Sequence, residues 1–384
     1  MSTPSVVCPA VDVAVVGAGI SGLVCAAALH RLNFTVTVLD ARSRIGGRLL
    51  NAEGTGVDLG ASWAFPPQET RGLKLASEMG IASIAQRVDG EAFAYQGGRA
   101  VRMGNAGERM APCGGGAVRF KGGYAALAAG VAATLPPGAL LLGSHVSALE
   151  ATAAADIELE ATGGVKVSYA TSATTRTAVL HARRVVVAAP PGVVARSITF
   201  TPRLPAAQQR KLASTATWCG DWCKLAATFK TAFWRDAGAS GVVASPAGVP
   251  ISIWFEGGGG DELGDADCAL VGLGVGPQCR ALEGISTSEA RALVIRALGG
   301  ALGAELVEEQ LETVAVKSWV SDPLSFAGIE AQGRDYGHSL LRAATEWGVH
   351  FAGTESEAEN GHVEGAIKAG ERAAREVASA LKGK

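Results

Sequence analysis

The strongest constraint on this chain lies near its start, where Val11-Asp-Val-Ala-Val-Val16 runs without a spacer into Gly17-Ala-Gly-Ile-Ser-Gly22. A β-branched apolar run of that length reads as a buried strand, and the glycines drop it straight into a turn. Leu23 to Leu32, rich in alanine and leucine, reads as a helix, and Phe34-Thr-Val-Thr-Val-Leu39 reads as a second strand ending at Asp40. Together they make a βαβ unit. The three glycines serve different ends, since Gly17 permits the tight turn, Gly19 lets a pyrophosphate approach the backbone, and Gly22 lets the helix lie close on the strand. The amides of Ile20 and Ser21 then face the phosphates. Asp40 stands where a carboxylate accepts hydrogen bonds from an adenosine ribose and would repel a 2′-phosphate, so a dinucleotide with an unphosphorylated ribose is expected.

With 384 residues the chain exceeds the size at which one hydrophobic core stops growing, so two lobes are expected. Charged residues make up 18% against a usual share of roughly 25%, and the formal net charge is -2. That balance argues against nucleic acid or an acidic membrane surface as partner. The seven cysteines form no CxxC pair and sit by no histidine cluster, which predicts reduced thiols, no metal and an intracellular setting. Met1 to Ala10 carries no targeting pattern, and Val11 to Val16 is far too short to span a bilayer, so a cytoplasmic protein is expected.

Directly after Asp40 comes Ala41-Arg-Ser-Arg-Ile-Gly-Gly-Arg48, and soon afterwards Asp58-Leu-Gly-Ala-Ser-Trp63. The run from Val38 to Arg48 resembles the flavin-containing amine oxidases, a family of monoamine oxidases, polyamine oxidases and lysine-specific histone demethylases. These usually carry Glu where this chain has Asp40. The resemblance implies FAD, with Arg42 and Arg48 on the pyrophosphate, Gly60, Ala61 and Ser62 along the flavin, and Ala41, Gly47 and Trp63 also among the cofactor-binding residues. Guanidinium forks suit phosphate, and glycines let a chain lie flat against a ring system.

Further segments follow in the family's order. Phe120-Lys-Gly-Gly-Tyr124 resembles the opening of the middle FAD-domain helix, and Val146 lies where a backbone group pairs with adenine. Arg184-Val-Val-Val-Ala-Ala-Pro-Pro191 resembles the buried strand that ends in paired prolines, and Lys224 to Trp234 the substrate-domain strand that carries a lysine near the flavin. Trp319-Val-Ser-Asp-Pro323 resembles the return to the FAD domain. Most specific is Phe351-Ala-Gly-Thr-Glu355 followed by Gly361-His-Val-Glu-Gly. The resemblance places Gly353 and Glu355 by the cofactor, Glu355 near the ribityl chain, and the amide of Val363 at the flavin pyrimidine, with His362 beside it.

The chemistry so implied is oxidation of an amine. A hydride equivalent passes to flavin N5, the imine hydrolyses, and O2 takes the electrons to give hydrogen peroxide. By resemblance Lys224 holds a water against N5, and Trp319 stands beside flavin and water. Period two places Lys224 with Ala226 and Thr228 on one strand face, which suggests a cavity wall. The paired aromatic slot of many relatives is altered: Ile329 and His362 stand at its two positions. Histidine side chains in general titrate near roughly 6.5, so one at position 362 is a conceivable acid or base near neutrality. Gly328 stands where animal monoamine oxidases carry their flavin-linking cysteine, so non-covalent FAD is expected. A carboxylate-bearing substrate would need an arginine, for which Arg71, Arg87 and Arg102 are available.

The expected fold class is α/β: a discontinuous Rossmann-like FAD-binding domain of residues 1–66, 118–200 and 322–384, with a second mixed-sheet (α+β) substrate domain of 67–117 and 201–321. Within the latter, Ile251 to Phe255 and Cys268 to Val275 read as strands, Ser288 to Leu302 as a helix, and Glu256 to Asp261 as the start of a flexible connection. Met103 to Arg119 replaces the long helical insertion of relatives, and Asn105 to Gly116 reads as a mobile loop, leaving an open site able to admit a bulky amine. Two alternatives remain open: a flavin desaturase or dehydrogenase of polyene or porphyrinogen type, and a flavin-binding protein without turnover.

Overall fold

The computed structural model describes residues 10–110, 116–153, 163–171, 177–258, 268–329, 335–358 and 361–383. Cys8, Cys113 and the glycine-rich stretch from 259 lie outside these. The chain divides into two compact units, one of residues 1–47, 128–218 and 324–384, the other of 48–127 and 219–323.

The first unit is built on parallel pairing. Ala10–Val16 lies between Val36–Asp40 and Thr177–Val187, with Val16 opposite both Leu39 and Val187. Val349–Phe351 extends the sheet beyond Thr177–Val187, with Phe351 opposite Val187, and Leu140–Leu142 extends it beyond Val36–Asp40. The register brings four strand ends to one edge, so the glycine turn, Asp40, Pro190 and Gly353 all leave the sheet there. Ligands of open parallel sheets bind at such carboxyl edges. The strand Thr177–Val187 forks: its first half pairs antiparallel with Gly164–Thr171, which continues to Ser144–Thr152 and Thr199–Thr201. Val16, Leu39, Val187, Phe351, Leu149 and Leu180 fuse the halves into one core.

Two helices serve the binding edge. Ile20–Arg31 follows the glycine turn, and Val363–Leu381 packs against it so closely that a Cβ on Gly370 would overlap the Ser21 carbonyl. Arg372 ties the second helix to the last strand by donating to the Phe351 carbonyl and to Glu357.

The second unit holds a seven-stranded sheet in the order Leu311–Ser318, Trp222–Phe229, Ala269–Val275, Ile253–Glu256, Ala239–Ala244, Glu91–Gln96 and Arg99–Arg102. Its pairs are antiparallel except Ala239–Ala244 with Glu91–Gln96. The helix Thr287–Leu302 opens on a reciprocal capping box between Ser286 and Glu289.

Several expectations are corrected. Gly107–Met110 is a helical turn rather than loose loop, because Ala106 and Met110 dock on Ala92, Val242 and Phe255; residues 111–115 lie outside the described set. Glu256 does not begin a flexible connection: it is a strand residue only 1% exposed, paired opposite Leu270. The seams also differ from the expected domains. Residues 48–66 pack in the second unit, where Ala52, Val57 and Leu59 share a core with Ala226 and Val271, while 201–218 pack in the first.

Candidate functional site

In the first unit the three glycines of the turn have different surroundings. Gly17 has φ 111°, in the left-handed region that a side chain disfavours. Gly22 faces backbone, since a Cβ there would overlap the Gly17 carbonyl oxygen, whereas a Cβ on Gly19 would meet nothing within 4 Å. The middle glycine thus bares its backbone to open space at the head of a helix whose cap, Gly19 itself, has no side chain to satisfy the first amides. Ile20, Ser21 and Gly22 supply those amides.

Asp40 is buried at the end of its strand and uses both oxygens locally: Oδ2 accepts from the Ala18 amide at 2.7 Å and Oδ1 from the Arg42 amide at 2.8 Å. It therefore braces the glycine turn, and its remaining lone pairs are the ones left for a ribose. Ala41 is carried between these anchors. The basic segment folds back on the turn, with Gly46 donating to the Ala18 carbonyl at 2.8 Å and Gly47, at φ 59°, against Gly19. The Arg42 Nη2 donates to the Ser325 Oγ at 2.9 Å. Val146 is a buried residue of Ser144–Thr152.

The C-terminal segment closes on the same turn. Gly353 donates its amide to the Ser21 Oγ at 3.1 Å, and the buried Glu355 accepts from the Trp218 amide at 3.0 Å. His362 caps the helix Val363–Leu381 by position, its side chain making no capping hydrogen bond to the helix amides, so the helix head, including the Val363 amide, is a second donor-bearing terminus on this unit. Thr354 holds that head by donating to the His362 carbonyl at 2.8 Å.

The His362 ring meets Trp218 edge-on with centroids 5.2 Å apart, and Trp218 meets Tyr336 at 5.4 Å. Ile329 packs where a Cβ on Gly192 would stand, beside Ala327. Gly361 makes the pairing possible, because a Cβ there would overlap the Trp218 ring. Trp218 and Tyr336 were not expected from sequence: neither stands at a position the aligned slot uses, and the glycine before His362 was the one available hint of a bulky neighbour.

In the second unit Lys224 is 5% exposed, and both faces of its strand are buried. Its ammonium donates to the Gly60 carbonyl and the Ser62 Oγ and lies 4.9 Å from the ring centroid of Trp63. A desolvated cation over an indole gains up to about 2 kcal/mol. Gly60 must be glycine because a Cβ would overlap the Arg48 carbonyl, and Ala61 donates to that same carbonyl at 3.4 Å. Burial pushes the Lys224 pKa below its usual range, opposed by the charge of Asp58. Burial pushes Asp58 up, opposed by Lys224, the Tyr124 amide and Arg119. Trp319 is buried and donates its Nε1 to the Leu59 carbonyl at 3.0 Å, which anchors the strip of chain that Lys224 also grips.

The Trp63 Nε1 donates to Gln86 at 2.6 Å, and Gln86 donates to the Glu256 carbonyl at 3.1 Å. Glu256 accepts from Trp234 and, through two nitrogens, from Arg235. Of the three arginines available for a carboxylate, Arg87 lies 3.9 Å from Glu256, Arg71 starts a helix and Arg102 ends a strand in solvent. Among the described residues no cluster of His, Cys, Asp or Glu could hold a metal ion, and no helix is long and apolar enough to cross a membrane.

These parts fit FAD: an open glycine face at an uncapped helix head, a carboxylate at the second strand end, and a second donor-bearing helix head on the same unit. Comparison with known proteins agrees. The profile described as NAD(P)-binding Rossmann-like domain matches residues 15–78, and that of flavin containing amine oxidoreductase matches 101–378. Human amine oxidase [flavin-containing] B is 40% identical over 97 residues, which covers 22% of this chain and 18% of that protein. The chain thus matches less than a fifth of that relative's length. Among solved structures, cyclohexylamine oxidase from Brevibacterium oxydans has a TM-score of 0.75 at 20% identity, covering 97% of this chain and 100% of that one. Wild-type putrescine oxidase bound to putrescine has a TM-score of 0.74 at 20% identity, covering 96% and 99%. The two glycine-bearing termini, the basic segment folded on the turn, and a family profile spanning most of the sequence lead to one conclusion: this chain belongs to the flavin containing amine oxidoreductase family.

Proposed function

We propose that this protein is an FAD-dependent oxidase of amines that holds its cofactor non-covalently. When bound, FAD would accept a hydride equivalent from the amine C–H and pass the electron pair to O2, giving H2O2 and leaving an imine for water to hydrolyse. In the first unit, the amides of Ile20, Ser21 and Gly22 and the guanidinium of Arg42 would hold phosphate, Asp40 the ribose, and the Val363 helix head the flavin ring. Arg48, Gly60, Ala61, Ser62 and Trp63 belong to the second unit and are assigned to cofactor and substrate by family likeness. Gly328 in place of a linking cysteine supports the non-covalent mode.

Lys224 is the single observation that carries the oxidase reading. A buried ammonium clamped by the Gly60 carbonyl and the Ser62 hydroxyl is a fixed donor, and burial lowers its pKa toward working pH. Such a group positions a water and moves its proton without needing acid–base help from other residues. Trp319, bound to the Leu59 carbonyl, acts by holding that strip in place. His362 and Trp218 would line the substrate side of the first unit. The relatives that act on cyclohexylamine and putrescine support an amine with an unhindered C–H next to nitrogen.

The test is anaerobic stopped-flow mixing of the FAD-loaded protein with amines, amino acids, a polyene and a porphyrinogen, followed by air. Bleaching of the flavin absorbance by amines, with peroxide released on re-oxidation, is expected. Bleaching by the polyene or porphyrinogen alone would replace the amine reading with the desaturase one.

A further inference from the structure

Asn51 and Asp58 face each other across an isolated antiparallel bridge in the second unit, and Asp58 is buried. The Asn51 Nδ2 donates to the Gly122 carbonyl at 2.7 Å, which fixes the two ends of the amide. Its Oδ1 is then a buried acceptor with no hydrogen-bond partner among the described residues. What that oxygen faces is more oxygen. A Cβ on Gly123 would stand 2.8 Å from Asn51 Oδ1, 2.7 Å from Asp58 Oδ1 and 2.8 Å from the Gly56 carbonyl, so the three crowd round one point. The Tyr124 amide donates to Asp58 Oδ1 at 2.9 Å, and nothing described donates to Asn51 Oδ1. Acceptors that face one another repel, and a buried acceptor left unmade is costly. A protonated carboxyl on Asp58 carries the one donor this arrangement lacks.

We propose that Asp58 is a positioning residue that sets the charge of Lys224: as a neutral acid it donates to Asn51, and as a carboxylate it holds the Lys224 ammonium. Asp58 begins the strip of chain whose Gly60 carbonyl and Ser62 hydroxyl the ammonium grips. The charged groups within electrostatic reach of Asp58 are Lys224 on the strand Trp222–Phe229 and Arg119 on Val118–Phe120; those within reach of Lys224 are Asp58 and the Cys219 thiol. Lys317, opposite Lys224 on the flanking strand, is paired with Asp322 at 2.6 Å. Burial pushes the Asp58 carboxyl up and the Lys224 ammonium down, so their ionisations approach and each alters the other. Asp58 acts through Lys224 and moves no substrate proton itself. Its bearing on catalysis rests on the oxidase reading, whereas the linked ionisation does not.

The test is isotope-edited NMR of the FAD-loaded protein with labelled aspartate carboxyls and, in a second sample, labelled lysine Cε, followed against pH alongside anaerobic flavin reduction by phenethylamine. The Asp58 signal, identified by its absence in Asp58→Asn, should titrate above the usual aspartate range, and the Lys224 signal, identified by its absence in Lys224→Met, below the usual lysine range. In Asp58→Asn the Lys224 midpoint should fall by about one pH unit or more, the lower end for loss of a nearby opposite charge. The limb of the pH–rate profile that Lys224→Met lacks should move to lower pH with it. In Asn51→Ala the neutral acid loses its acceptor, so the Asp58 midpoint should fall. Asparagine at 58 keeps an oxygen for the Tyr124 amide, so a merely structural Asp58 would leave the Lys224 midpoint and the limb in place, and that outcome would overturn the proposal. Asp58→Glu should restore the midpoint in part. If Asp58→Asn fails to fold, Asn51→Ala carries the test, and an Asp58 midpoint it does not move would equally overturn the proposal. Shifted midpoints in a protein whose flavin no amine bleaches would uphold the linked pair and sink the oxidase reading instead.

Discussion

Gly19 and Gly22 are three residues apart in one turn, yet alanine at each should fail in opposite ways. At Gly22 a Cβ would overlap the Gly17 carbonyl oxygen and stand 3.2 Å from both the Gly17 carbonyl carbon and Val15 Cγ1. The overlapped atom is backbone, in a turn held by the Gly17 amide on the Leu39 carbonyl at 2.7 Å, so no side-chain rotation relieves it. Overpacking of a tight core costs ~1–3 kcal/mol, and an unyielding partner places this site at the upper end, about 3 kcal/mol. At roughly 2–4 °C per kcal/mol, the melting temperature should drop by about 6–12 °C. At Gly19 the backbone has φ -69° and ψ 169°, which any residue adopts, and the added Cβ meets nothing within 4 Å. Gly19→Ala should therefore leave the apoprotein as stable as before, or steadier by up to ~1 kcal/mol from the stiffer unfolded chain. The same Cβ would occupy the space a pyrophosphate needs, so FAD affinity should fall by about tenfold or more, given that a displaced phosphate loses charge-assisted bonds. Differential scanning calorimetry of the apoproteins and flavin fluorescence titration separate the two effects. A Gly22→Ala apoprotein that melts with the wild type, or a Gly19→Ala protein that binds FAD normally, would refute this reading of the turn.

Replacing Lys224 with Met should slow anaerobic flavin reduction by about a hundredfold, the lower end for loss of a positioned proton-transfer group, with little change in FAD affinity; an unchanged rate in stopped flow would remove Lys224 from the mechanism. Gly361→Ala should push the Trp218 ring off His362, costing ~1–3 kcal/mol in urea unfolding and shifting tryptophan emission; an unaltered spectrum would contradict the packing. The buried pair should also give stability opposing pH slopes. Lys224 titrates lower folded than unfolded, so its contribution is present above the usual lysine value near 10.5 and fades as pH falls through the depressed one. Asp58 titrates higher folded, so its contribution is present below the usual value near 3.8 and fades as pH rises through the raised one. Urea unfolding of the apoproteins against pH should lose the alkaline rise in Lys224→Met and the acid-side fall in Asp58→Asn, and parallel curves for wild type and variants would argue against the pair.

The dinucleotide turn was legible because its determinants are local. A strand run, three spaced glycines and an acid at the next strand end are each dictated by neighbours a few residues away. The lysine strand and the C-terminal glycine-rich turn were likewise legible through residue order. What sequence could not reveal is pairing across long separations. Trp218 meets His362 because Gly361 leaves room for an indole. Nor could period two reveal that both faces of Trp222–Phe229 are covered, since that depends on which strands flank it. Residues 48–66 lie with the second unit for a similar reason: Val57 and Leu59 find their apolar partners in Ala226 and Val271, far along the chain. Local backbone geometry and residue order thus determined the cofactor class and the family. Burial, and with it which distant side chains meet, was decided only when the distant segments packed.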